Sequence, residues 1–79
     1  MNYHIIVYKS THDAMEADKI LSETSFEYRI MPTPTAINNS CGICTRLTNS
    51  DDIKRIIEDN IVNYKGIYGK NENGFIKIK

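Results

Sequence analysis

The chain has 79 residues, 41% apolar and 25% charged, the composition of an ordinary globular protein and not of a disordered or collagen-like one. A chain of that length hides only about 60–65% of its unfolded surface, which leaves room for one core and one site. Ten Lys and Arg balance ten Asp and Glu, so no excess positive charge draws it to phosphate backbones, and nucleic acid is not an expected partner. The longest unbroken apolar run, Ile5-Ile6-Val7-Tyr8, is far too short to cross a bilayer. Met1-Asn2-Tyr3-His4 lacks the basic start of a signal peptide. A cytoplasmic chain without a membrane partner is the expectation.

Residues Tyr3 to Tyr8 are aromatic and β-branched and predict a strand. Tyr3, Ile5 and Val7 then face one way and His4, Ile6 and Tyr8 the other, both sets largely apolar, as in a central strand. Ser10-Thr11-His12-Asp13 has the hydroxyl-then-acid spacing of a capping box. With Ala14, Ala17, Ile20, Leu21 and Thr24 on one stripe, it predicts a helix over roughly 11–23. Phe26 to Met31 alternates as a second strand, which Pro32 and Pro34 should end because neither can donate to a ladder. Thr33 to Ser40 carries turn-formers without a period and reads as a loop. Ile43, Thr45 and Leu47 alternate with Cys44, Arg46 and Thr48 as a third strand. Asn49-Ser50-Asp51-Asp52 offers an N-cap and early acids ahead of a stripe at Ile53, Ile56, Ile57 and either Asn60 or Ile61, a second helix. Tyr64 to Tyr68 reads as a fourth strand, and Asn73-Gly74 signals a turn before Phe75 to Lys79, a short added strand.

The order β-α-β-β-α-β predicts a ferredoxin-like split βαβ sandwich, an α+β fold with both helices on one face of an antiparallel sheet. Right-handed crossovers put the first and third strands in its centre. One domain is expected over residues 1–79, with a core over about 3–68 and a C-terminal extension over 69–79. Because the His4, Ile6 and Tyr8 set is mostly apolar, a homodimer packed sheet to sheet is expected. Lys77 and Lys79 would protect the last strand's edge.

Two cysteines are too few for a disulfide scaffold, and a bridge within Cys41-Gly42-Ile43-Cys44 would close too short a loop to add much stability. In dithiol exchange such a motif opens a helix. Here it opens a strand, where three residues of separation turn the side chains to opposite faces, and an internal disulfide needs Cys41 still in the turn, which Gly42 permits. A zinc site needs further ligands, and His4 and His12 are the strong candidates. A parallel third strand would bring Cys41 to His4 and leave His12 at the opposite end, so zinc on Cys41 and Cys44 would need two chains. The third use is nucleophilic: one exposed cysteine in a loop accepts and passes on a sulfur or selenium atom. That thiol must ionise, be reachable and find donors for the terminal anion. Successive N–H groups of Asn38-Asn39-Ser40-Cys41-Gly42 would supply an anion nest, with Arg29 and Arg46 adding charge where their strand faces agree. The expected topology denies Cys41 a helix N-terminus, since both helices should start at the far end of the sheet.

Ser10-Thr11-His12-Asp13-Ala14-Met15, Met31-Pro32-Thr33-Pro34, Ile37 and Ser40-Cys41-Gly42 together resemble the putative Se/S carrier protein-like family, a small bacterial family. The likeness runs from about Tyr3 to Tyr68, and its most specific part is the Pro-x-Pro loop ending in Ser-Cys-Gly. It implies a cytoplasmic protein that carries sulfur or selenium on Cys41. The chain departs from the family pattern at Thr35, where arginine usually follows the second proline, at Asn38 and Asn39, where serines are favoured, and at Cys44.

The expectation is therefore a chalcogen carrier, at most sulfurtransferase-like as an enzyme, without metal or cofactor. Cys41 and Cys44 would react, and Asn39, Ser40, Gly42, Arg29 and Arg46 would hold the terminal anion. Donor and acceptor proteins would be the partners. The alternative is a non-catalytic module binding a metal or small molecule through Cys41 and Cys44. Plainer readings stand beside these: Cys44 as a small buried hydrophobe, His4 as a partly buried strand residue, His12 solvated, Met15 and Met31 as packing. RNA recognition on the open sheet finds little support, because the third strand has no aromatic stacking pair and the balanced charge offers no basic face.

Overall fold

The computed structural model describes residues 2–37 and 41–79. Its elements are β1 (Tyr3–Val7), α1 (Thr11–Ser22), β2 (Tyr28–Pro32), β3 (Ile43–Leu47), α2 (Ser50–Asp59), β4 (Gly66–Asn71) and β5 (Gly74–Lys77). The strands form one sheet in the order β2-β3-β1-β4-β5, with every neighbouring pair antiparallel. This is the ferredoxin-like α+β arrangement, with β1 and β3 interior and β5 added beside β4.

Local chemistry accounts for the helix ends. The Ser10 hydroxyl accepts from the Asp13 N–H at 3.2 Å and starts α1. The Asn49 carboxamide oxygen accepts from the Asp51 N–H at 2.8 Å and starts α2, with Asp51 and Asp52 in the first turn. Asn60, in the left-handed region at φ 52°, ends α2 and returns its N–H to the Ile56 carbonyl.

Two strand boundaries differ from the sequence expectation. Pro32 lies within β2, opposite Ile43. β2 is an edge strand, so the N–H that proline lacks is not required on its outer side. The fourth strand begins at Gly66, not Tyr64, because its pairing with β1 starts at Val7 opposite Gly66 and runs to Tyr3 opposite Lys70.

Strand alternation divides the buried residues into two layers. Ile6, Tyr8, Leu47 and Ile67 pack with Ala14, Ala17 and Leu21 of α1 and Ile53 and Ile56 of α2. On the other face Ile5, Val7 and Cys44 are buried with Ile37, flanked by Tyr3, Met31, Tyr68 and Phe75. A turn closed by the Ile37 N–H donating to the Pro34 carbonyl at 3.0 Å brings Ile37 there. The His4, Ile6 and Tyr8 set, expected to drive sheet-to-sheet pairing, thus lies on the helix side, and the open face carries the Tyr3, Ile5 and Val7 set.

Candidate functional site

β3 runs antiparallel to β1, with Val7 opposite Cys44 and His4 opposite Leu47. β2 also opposes β3, so it runs the same way as β1, and the β2–β3 hairpin turns back where β1 finishes. Cys41 therefore sits at the end of the sheet where α1 starts, which corrects three expectations. The third strand is not parallel to the first, His4 lies at the end away from Cys41, and a helix N-terminus does lie at the cysteine's end. His12 stands at that end, exposed, with its Nε2 3.6 Å from Glu16. His4 is buried, its Nδ1 has no hydrogen-bond partner, and desolvation lowers its pKa.

Cys41 is 2% exposed, against the expectation of an open loop thiol. Its side chain belongs to the helix-side core with Tyr8, Ala14 and Ala17. In that layer a thiol behaves as a small apolar group. The Cys41 Sγ donates to the Ile43 carbonyl at 3.3 Å. Thr33 holds the backbone on either side: its hydroxyl donates to the Cys41 carbonyl at 3.0 Å and its N–H to the Gly42 carbonyl at 3.0 Å. Gly42 is exposed, and a Cβ built there would meet nothing within 4 Å. The buried sulfur is thus one residue from open space.

Cys44 points to the opposite face and is fully buried among Ile5, Val7 and Ile37. Neither cysteine is in a disulfide. Burial pushes the Cys44 thiol up to about 11, partly offset by a hydrogen bond with Thr33. It is protonated at neutral pH, as a buried hydrophobe should be.

Arg29 and Arg46 are brought together, directly opposite each other across β2 and β3. They share the open face with Cys44, whereas the Cys41 side chain belongs to the helix side, so they do not converge on Cys41. Asn39 and Ser40 lie outside the described residues. Sequence reasoning missed Thr33, whose roles depend on a hairpin closure that no motif marks. It also missed the 2.6 Å hydrogen bond that the buried Tyr8 and Thr45 hydroxyls share, which raises no signal in an alternating strand. Desolvation raises the Tyr8 pKa, so its phenol stays neutral. The balanced total charge conceals a basic face. Strand register puts Arg29, Arg46, Lys70 and Lys77 on the open side with Tyr3 and Phe75.

Among the described residues, no three of His, Cys, Asp and Glu are grouped to hold a metal ion, and no helix is long and apolar enough to cross a membrane. The two cysteines, on opposite faces, do not form a ligand pair. A family model described as Putative Se/S carrier protein-like matches residues 3–69. No curated protein and no solved structure matches the chain.

Proposed function

The chain belongs to the Putative Se/S carrier protein-like family, and from that premise we propose that it carries sulfur or selenium on Cys41 as a persulfide or selenopersulfide. The Cys41 thiol first leaves its hydrogen bond to the Ile43 carbonyl and gives its proton to solvent water. Its thiolate then attacks the terminal sulfur of a donor protein's persulfide: a new S–S bond forms to Cys41, the donor's S–S bond breaks, and the electron pair leaves on the donor's cysteine as a thiolate. Hand-off repeats the displacement, with an acceptor thiolate attacking the terminal atom and Cys41 leaving. No oxidant is consumed in either step.

What supports this reading is the pairing of family membership with the position of Cys41, a buried thiol beside exposed Gly42. Burial shields the loaded atom from stray thiols. Loading requires Cys41 and Gly42 to swing outward, against the two hydrogen bonds that Thr33 makes to them. Cys44 takes no part, because it faces the other way and stays protonated.

Incubation with a cysteine desulfurase and cysteine, followed by intact mass measurement, should add one sulfur atom to the native protein and to Cys44→Ser, and none to Cys41→Ser. Thr33→Val, which loses the hydroxyl's hold, should load faster by about fivefold, the rate equivalent of one ordinary hydrogen bond. A native protein that gains no sulfur, or a Cys41→Ser variant that still does, rules the carrier out.

A further inference from the structure

Arg29 and Arg46 face each other across the β2–β3 pairing, where like charges repel. Neither is held in an ion pair: among the described residues, the only ion pair joins His12 to Glu16. Arg46 is held by stacking, its guanidinium carbon 4.4 Å from the centre of the Tyr3 ring. Its Nε is buried and has no hydrogen-bond partner. Both arginines line a cleft of about 390 Å³ together with Glu27, Tyr28 and Thr48, within the range of about 300–1,000 Å³ typical of small-ligand sites. Two opposed cations, an orphaned donor and a hydroxyl around one cleft are complementary to a small anion.

We propose that this cleft binds a tetrahedral oxyanion of the phosphate class between Arg29 and Arg46. A planar carboxylate, with two oxygens, is satisfied by one guanidinium fork. Two forks and the Thr48 hydroxyl match an anion with three or four oxygens. The Arg46 Nε–H, which has no hydrogen-bond partner in the protein itself, is a further donor on the same guanidinium. Glu27 is the counter-charge in the cleft, and the anion binds against it. A nucleic-acid strand is disfavoured because the rings it would stack on are already covered, Tyr3 by Arg46 at 4.4 Å and Phe75 by Lys70 at 5.3 Å. The site lies on the sheet face opposite the Cys41 side chain, so it stands or falls independently of the carrier reading.

Titration of the full chain with inorganic phosphate at constant ionic strength, followed by amide and arginine Nε–H resonances, tests it. Saturable shifts are expected at Arg29, Arg46 and Thr48, largest at the Arg46 Nε–H. Arg46→Gln and Arg29→Gln should each weaken binding at least about tenfold. Arg29→Gln should do so without lowering the thermal midpoint, since it removes a repulsion. Glu27→Gln should tighten binding, and Cys41→Ser should leave it unchanged. Any of three results overturns the assignment: shifts equally produced by sodium chloride, acetate binding as tightly as phosphate, or a short single-stranded RNA occupying the same residues far more tightly. So does phosphate affinity retained in Arg46→Gln.

Discussion

Single side chains in this fold owe their state to which side of the sheet they occupy. Tyr8 and Thr45 share a 2.6 Å hydrogen bond in the helix-side core, where both residues are fully buried. Tyr8→Phe should destabilise the protein by about 1–3 kcal/mol, because the Thr45 hydroxyl keeps its desolvation cost and loses this partner. Adding Thr45→Val should restore part of that loss. Urea denaturation of the two single variants and the double variant measures the coupling, and strict additivity would show that the hydroxyls act separately. Neither residue was legible as half of a pair: a tyrosine and a threonine in predicted strands are both ordinary on local grounds. Cys44 was legible. Alternation put it opposite Ile43, Thr45 and Leu47, and its small apolar side chain fits the buried layer it joins.

At the level of elements, helix ends were the most legible because their signals are local. Ser10 with Asp13, and Asn49 with Asp51, specify N-caps within a few residues of chain, and each forms the expected contact. Asn49→Ala should cost about 1 kcal/mol through the N-terminus of α2. Chemical denaturation should show a lower midpoint with an unchanged dependence on denaturant concentration, and an unshifted midpoint would show that the cap contributes nothing. Strand ends were less legible, because pairing partners decide them. Pro32 remains in β2 since only one side of an edge strand is paired, a fact of sheet order and not of the Pro-x-Pro sequence. Placing Cys41 required strand direction as well. Once the β2–β3 hairpin is recognised, β3 must oppose β1, and the cysteine lies beside the start of α1, not beside His4. Its burial was not legible at all, for it depends on tertiary packing in the helix-side core that no local pattern around the cysteine marks.

For the molecule as a whole, stability should depend on pH through His4. Burial holds its imidazole below the ordinary 6.5 in the folded chain. As pH falls below 6.5 the unfolded chain takes up the proton first, so full stability above that pH declines towards the folded value. Thermal midpoints measured between pH 7.5 and 5 should fall less steeply in His4→Gln than in the native protein, and parallel curves would remove His4 as the cause. Net charge conceals another whole-molecule property. Zero overall is compatible with a sheet face bearing Arg29, Arg46, Lys70 and Lys77, because strand register, not composition, gathers them.

The separation of the two cysteines bears on how this chain records oxidative damage. With the sheet intact, a plane of backbone stands between their side-chain layers. A covalent link from Cys41 to Cys44 would demand that the start of β3 be peeled away first. Such a crosslinked species would be a scar left by molecules whose sheet had opened at that corner.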